Sequence, residues 1–372
     1  MTLSLDKVRI LDLSRVLAGP VCSMTLGDLG ASVIKVERPG YGDETRTWGP
    51  PVDDQGRSAY YLSVNRNKLS VALDLDSEED LAVLRRLIAD ADVVLDNFRS
   101  GTLARRGIDP EALLTQHPSL IWCTISGFGP DSDRPGYDFV AQAEGGWMSI
   151  TGKQNGAPMK VGVALADVIA GKDATIAILA ALAARERSRE VLPVAARRIH
   201  VSLLHSTVAS LVNVAQNVLV SGRDAPRWGN AHPNLVPYQL FAAADRPIVI
   251  AVGSDAQWRA LCRVLDLPAL GDDPALATNP GRVAQRDRVV GVIAERVAQH
   301  RAEHWLGMLD EAGVPCGVVR TVREALEAIP SSPLTGVSPP VPGKIRLPPP
   351  DLDQHGALVR RNGWRAFELL GG

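Results

Sequence analysis

Two rhythms of apolar residues alternate along the first 130 positions. Short runs such as VRILDLS (Val8 to Ser14), SVIKVERP from Ser32, DVVLDNF from Asp92 and IWCTISGFG from Ile121 are apolar at most positions, as expected of buried strands. SVALDLD (Ser70 to Asp76) alternates with a period of two, the mark of a half-covered strand. Between them lie helical stretches: GPVCSMTLGDLG, closed by Gly30, then SEEDLAVLRRLIADA, with Ser77 as its cap and an acidic first turn, then PEALLTQHPSL. Strand and helix in regular alternation predict a parallel α/β sheet of at least four units.

Farther on, VGVALADVIAGKDATIAILAAL (Val161 to Leu182) reads as a short strand, GVALA, followed by a helix reaching about Arg187. RRIHVSLLHSTVASL reads as a strand running into a helix. The pattern changes near Ala225, where turn-rich PRWGNAHPNLVPYQLF leads into the strand RPIVIAVGS and several helices rich in Arg, Ala and Leu. A smaller α+β domain is expected there. The stretch from Pro330 to Asp351 is too dense in proline for a helix or central strand and reads as an extended connector.

Composition narrows the function. With 372 residues, 45% of them hydrophobic, and a formal net charge of −2, the chain has ample material for a core and no overall field to recruit nucleic acid or an anionic membrane. Its longest apolar run is about half the ~20 residues of a membrane span, and MTLSLDKVRILDLS lacks the pattern of a secretory leader. A cytoplasmic location is expected. Cys22, Cys123, Cys262 and Cys316 form no CxxC pair, so neither a disulfide framework nor a metal site is expected.

Candidate chemistry lies at strand ends. The loop SRVLAGP follows the first strand, where open α/β sheets bind ligands, and KVERPGYGDETR follows the second. No G-x-G-x-x-G is present for a dinucleotide, and Arg38 beside Glu37 suits a phosphate better than a ribose. AGKDAT has Ala166 and Asp173 where a phosphate-binding loop needs Gly and Ser or Thr. Arg66, Lys68, Arg99, Arg105 and Arg106, interleaved with Asn65, Asn97 and Phe98, make either a nucleotide-binding edge or a solvated rim. Asp167, at the start of the long helix, reads either as a cap or as a nucleophile that the helix terminus keeps ionised. Gly127, Gly129, Gly145 and Gly146 permit close backbone approach to a substrate, and His232 sits in a turn-rich loop.

These segments together, from ILDLSRVLAGPVCSMTLGDLGASVIKVERPGYGDETR through NRNKLSVALDL, ADVVLDNFRSGTLARRGI, SLIWCTISGFGPDSDRPGYDFVAQAEGG, VALADVIAGKDATIAILAAL and GNAHPNLVPYQLF to AGVPCGVV, resemble the class III CoA transferases, the family of formyl-CoA and carnitine CoA transferases. The resemblance implies that Asp167, in the segment A-D-x-x-x-G, attacks an acyl-CoA to form an aspartyl anhydride and then an aspartyl-CoA thioester, from which CoA passes to a free carboxylic acid. It implies that Val16, Leu17 and Ala18 line the active site, with Asp138 near the reacting centre. Arg38 and Arg105 would contact CoA phosphates, and Leu73, Asn97 and Phe98 would bracket the nucleotide and pantetheine. Coenzyme A thioester enters as substrate, with no permanently bound cofactor.

The implied fold is a Rossmann-like large domain (1–196), a linker (197–224), a small domain (225–329) and a return segment (330–372), with two chains interlocked as a homodimer. Three departures stand out. Asp76 replaces a lysine of the formyl enzyme. GNAHPN stands where that enzyme has a glycine run, leaving Asn230 and His232 to shape the acceptor pocket. Tyr137 and Asp138 occupy the segment where related racemases have a His, which favours transfer over proton abstraction. A racemase of the same fold and a non-catalytic CoA-binding paralogue are the alternative readings.

Overall fold

The computed structural model describes residues 3–370, which divide into two units, one of residues 3–148, 160–223 and 329–370, the other of residues 149–159 and 224–328. The first is built on six parallel strands: β1 (Arg9–Asp12), β2 (Ser32–Glu37), β3 (Lys68–Ala72), β4 (Val93–Asp96), β5 (Ile121–Ser126) and β6 (Arg198–Ser202). They lie in the order β3-β2-β1-β4-β5-β6. The chain therefore works outward in one direction from β1 and resumes in the other from β4, so the loops after β1 and β4 part at a crevice.

Among the described residues twelve α-helices belong to this unit in whole or part: α1 (Ala18–Asp28), α2 (Ala59–Leu62), α3 (Glu78–Ala89), α4 (Pro110–Gln116), α5 (Asp138–Glu144), α6 (Trp147–Ile150), α7 (Leu165–Arg187), α8 (Val194–Arg197), α9 (Leu203–Ala209), α10 (Val212–Ser221) and two near the C-terminus, Gly356–Asn362 and Ala366–Leu370. The alternating faces of the strands explain the two cores. Ile10, Val33, Leu95, Cys123 and Ile125 pack under α1 and α7, around Leu26, Ala170, Ala174 and Ile178. Leu11, Ile34, Leu69, Val94 and Trp122 face the other way, against Leu84, Leu87 and Ile88 of α3. Each fully buried aliphatic side chain contributes roughly 1.5–3 kcal/mol.

The strand expected at GVALA is absent: residues 162–164 are irregular, and α7 runs from Leu165 to Arg187. Ser77 occupies the N-cap of α3 but makes no side-chain cap bond, leaving the acidic first turn Glu78–Asp80 to complement the helix dipole. The proline-rich segment is not uniformly extended, since Ser331–Ser332 (β10) and Gly336–Val337 (β11) form a two-rung antiparallel ladder. Beyond it the chain closes the free edge of β3. Asn67 Oδ1 accepts from Arg346 N (2.6 Å) and Leu347 N (3.0 Å), and Asp353 Oδ1 accepts from Ala72 N at 2.7 Å. The edge is thus blunted against stray strand pairing.

The second unit is an antiparallel sheet of Tyr238–Ala242 (β7), Pro247–Ala251 (β8) and Cys316–Val318 (β9) with amphipathic helices around Trp258, Leu261, Ile293 and Trp305. No single helix among the described residues is long and apolar enough to cross a membrane.

Candidate active site

At the crevice between β1 and β4 lies a cavity of about 270 Å³. Its wall includes Val16, Leu17 and Ala18 from the loop after β1, Asn97 and Phe98 from the loop after β4, Gly127 and Gly129 after β5, and Asp167. A second cavity, of about 630 Å³, shares Arg15, Glu44 and Phe98 with the first and is otherwise lined by Arg38, Tyr41, Leu73, Thr102 and Arg106, among others. One hollow is small and holds the buried carboxylate. The other is larger and has cations at its rim.

Asp167 reaches the first cavity through a close contact between helices. A Cβ on Gly171, one turn farther along α7, would stand 2.5 Å from the Ala18 carbonyl oxygen and 3.3 Å from Val21. Only glycine lets the α7 backbone settle onto α1 there. The spacing Asp-x-x-x-Gly therefore carries both the carboxylate and the contact that places it beside the Val16–Ala18 loop. Leu17, Val21 and Val64, with Val16, Tyr60, Ala164 and Val168 against them, make an apolar surround.

The protonation of Asp167 departs from the sequence-based expectation. Its N-cap is Ala164, and the side chain that caps the helix is Asp138, whose Oδ1 accepts from Ala166 N at 2.8 Å. Gln142, one turn along α5, donates to Asp138 Oδ2 at 2.7 Å and accepts from Val161 N at 2.8 Å, tying α5 to the approach to α7. Asp138, not Asp167, therefore caps the start of α7. Burial and the Asp138 charge push the Asp167 carboxyl up to about 7. Tyr60 feels the same surroundings: burial, with the Asp167 and Asp138 charges, raises its hydroxyl to about 12.

Behind the loop lies a buried ionic cluster. Asp12 pairs with Lys68 at 3.1 Å and accepts from Ser23 Oγ and Ser14 Oγ. Burial alone would raise its carboxyl, but Lys68, Lys35 and the two hydroxyls outweigh that and hold it at about 2. Burial brings Lys68 down to about 8 despite Asp12. Removing either partner would leave an uncompensated charge in the core.

The other expected site residues divide. Arg38 and Leu73 line the larger cavity, with Arg38 over the Tyr41 ring at 5.1 Å. Arg105 lines neither cavity, its Nη2 donating to Thr102 Oγ1 at 3.4 Å. Arg106 lines the larger one, its Nε donating to Asp76 Oδ1 at 2.8 Å. Gly145 and Gly146 are also outside the walls: a Cβ on Gly145 would meet Thr207 Cγ2 at 2.4 Å, so that glycine serves the packing of α9 against α5. Asn230 and His232 belong to the second unit, where His232 Nδ1 accepts from Asn234 N at 3.0 Å and its ring lies 5.2 Å from that of Tyr238.

Tyr60, Asp43, Arg134 and Arg198 are not marked as site residues by the sequence, yet Arg134 and Arg198 line the smaller cavity together with His200. No local signal marks Tyr60. The period-two pairing of Arg198 and His200 on β6, beside Thr124 of β5, was the available sign for those two.

Residues 5–332 match the family model described as CoA-transferase family III. The chain is 41% identical to the succinyl-CoA:glutarate CoA-transferase of Homo sapiens, covering 93% of this chain and 79% of that one. It is 40% identical to the succinate–glutarate CoA-transferase of Agrobacterium fabrum, over 95% and 94% respectively. Among solved structures it is similar to a CaiB/BaiF family protein of Brucella suis, with a TM-score of 0.84, 38% identity and coverage of 97% and 99%.

Proposed function

The chain belongs to CoA-transferase family III, and we propose that it carries CoA from an acyl-CoA to a dicarboxylic acid through covalent intermediates on Asp167. The observation that carries this reading is the buried Asp167 carboxyl, raised to about 7, in a small cavity that shares a wall with a larger, cation-rimmed one. A raised carboxyl pKa makes the ionised form a stronger nucleophile, and a substantial fraction is ionised at neutral pH.

The larger cavity takes the nucleotide, with Arg38 and Arg106 toward its phosphates, and pantetheine passes Phe98 to bring the thioester to Asp167. Carboxylate attack on the thioester carbonyl expels CoA thiolate and forms a mixed anhydride. The thiolate returns to the aspartyl carbonyl, releasing the donor acid and leaving aspartyl-CoA thioester. The acceptor carboxylate attacks that thioester, expelling thiolate a second time. Thiolate then attacks the acceptor's acyl carbon, giving the new acyl-CoA and free Asp167. Each addition places negative charge on a carbonyl oxygen. The N-terminus of α1 is suited to receive it: Leu17 is its N-cap with no side-chain cap bond, and Ala18 stands on the cavity wall. A dicarboxylate as acceptor is supported by the relatives named for succinate and glutarate and by Arg15, Arg99, Arg134 and Arg198 in the cavity wall.

The test is mass spectrometry of CoA transfer from succinyl-CoA to a panel of mono- and dicarboxylates. Dicarboxylates of four to six carbons are expected to outrun monocarboxylates, and hydroxylamine is expected to mark Asp167 in protein exposed to donor. Exchange of the α-proton without transfer would overturn the proposal in favour of a racemase.

The pH profile supplies a second check. With the Asp167 carboxyl at about 7, kcat/KM for the donor is expected to rise with pH through that region and to fall about tenfold per unit well below it. Asp138→Asn removes a charge that raises the carboxyl, so the rising limb moves to lower pH. An unmoved limb would show that the limb belongs to another group.

A further inference from the structure

The chain between β1 and α1 changes direction at Val16, a β-branched residue at φ 71. Such a residue adopts that conformation only where its surroundings impose it. Three side chains do so here. Lys35 Nζ donates to the Ser14 carbonyl at 2.8 Å. Asn97 bonds Arg15 twice, Nδ2 donating to its carbonyl at 2.8 Å and Oδ1 accepting from its N–H at 3.1 Å. Asp43 accepts the Val16 N–H with both carboxylate oxygens, at 3.2 and 3.1 Å.

Asp43 is itself held firmly. Its carboxylate lies 3.0 Å from Lys35 Nζ, with neither side chain exposed, and Oδ1 accepts from Thr45 N at 3.0 Å and Thr45 Oγ1 at 2.8 Å. A buried ion pair is thus directed at one backbone N–H, and that N–H belongs to the turn delivering α1. The next residues, Leu17 and Ala18, stand on the cavity wall with Asp167. The first N–H groups of α1, on Ala18 and Gly19, have no intrahelical acceptor, and Pro20 has no N–H. Gly19 also leaves room for the turn, since a Cβ there would fall 2.1 Å from Ser14 Oγ.

We infer that Asp43, locked by Lys35, is a positioning residue for the transfer reaction: it holds Val16 in the left-handed turn that aims the first N–H groups of α1 at the carbonyl oxygen of the intermediates on Asp167. The inference rests on the reading of Asp167 as nucleophile. Donors in a preorganised oxyanion site act only at hydrogen-bond distance, and a displacement of about 1 Å is enough to lose ~10²-fold in rate. Without Asp43, Val16 is free to relax to negative φ and carry the helix start with it.

The experiment compares kcat and donor KM for the native protein, Asp43→Ala, Asp43→Asn, Val16→Gly and the double variant Asp43→Ala/Val16→Gly, with the folded state of each checked by thermal melting. Asp43→Ala is expected to lower kcat by about 10²-fold with donor KM little changed. Asp43→Asn keeps an acceptor for the Val16 N–H and retains most of kcat. Glycine accepts φ 71 without strain, so Val16→Gly is expected to restore part of what Asp43→Ala loses. A purely structural Asp43 would give additive losses instead, and that outcome overturns the inference, as does native kcat in Asp43→Ala. If Asp43→Ala fails to fold, Asp43→Leu/Lys35→Met, which removes the buried pair together and leaves no unpaired charge, takes its place: compensation by Val16→Gly supports the clamp, and additive loss overturns it. Native protein that transfers CoA with no trappable Asp167 adduct overturns the covalent mechanism and this inference with it. An adduct in native protein combined with additive variants overturns the inference alone.

Discussion

Asp167→Asn is expected to reduce CoA transfer by roughly 10⁴- to 10⁶-fold, because on the proposed mechanism it removes the covalent nucleophile and leaves only binding and oxyanion contacts. The same substitution should stabilise the protein above neutral pH. The Asp167 carboxyl lies at about 7 in the fold against 3.8 in an unfolded chain, so the native state binds the proton more tightly. The contribution of this carboxyl to stability is therefore fully present below about pH 4, declines as pH rises through the window up to about 7, and is lost above it. Asparagine has no such ionisation, so the variant should melt higher than the native protein at pH 8 and alongside it at low pH. Activity and stability moving in opposite directions separates loss of the nucleophile from misfolding. Transfer at the native rate in freshly prepared variant, free of deamidation, would remove Asp167 from the mechanism.

Gly171→Val carries the second large effect. The added Cβ would meet the Ala18 carbonyl at 2.5 Å, a backbone atom that cannot rotate away, so α1 and α7 must separate. Overpacking of this kind destabilises by about 1–3 kcal/mol. The separation also carries Asp167, one turn away, off the Val16–Ala18 loop, with an expected loss of ~10²-fold in kcat. Gly171→Ala should show a smaller form of both effects. Urea unfolding and steady-state kinetics on the two variants check this, and native values in Gly171→Val would show that α1 and α7 are not held by this contact.

These expectations show why A-D-x-x-x-G is informative as a motif. Its carboxylate and its glycine lie on one helical turn, so their relation is local and survives in the sequence. The strands and helices of the sheet were legible for the same reason. Continuous apolar runs located β1, β2, β4 and β5, the helical stretches between strands located α1 and α3, and the C-terminus of α7 at Arg187 agrees with the expected helix end. The short strand expected at GVALA failed because apolar runs of that length fit strand and loop alike, and here Gln142 and Asp138 bind the backbone instead.

Residue types and their order along the chain, read by themselves, determined the parallel α/β architecture, the family, and the candidate nucleophile, since each follows from neighbours within a turn or a strand. Tertiary structure alone decided the raised pKa of Asp167, which comes from its burial and from the charge of Asp138, a residue that caps α7 from 28 positions before Ala166. It alone decided that Arg106 and not Arg105 faces the larger cavity, and that Asp43 reaches the Val16 N–H from 27 positions away. The distinction is physical: periodicity reports which face of an element is buried, while pKa, strain and cavity shape are set by groups from distant segments brought within a few ångströms.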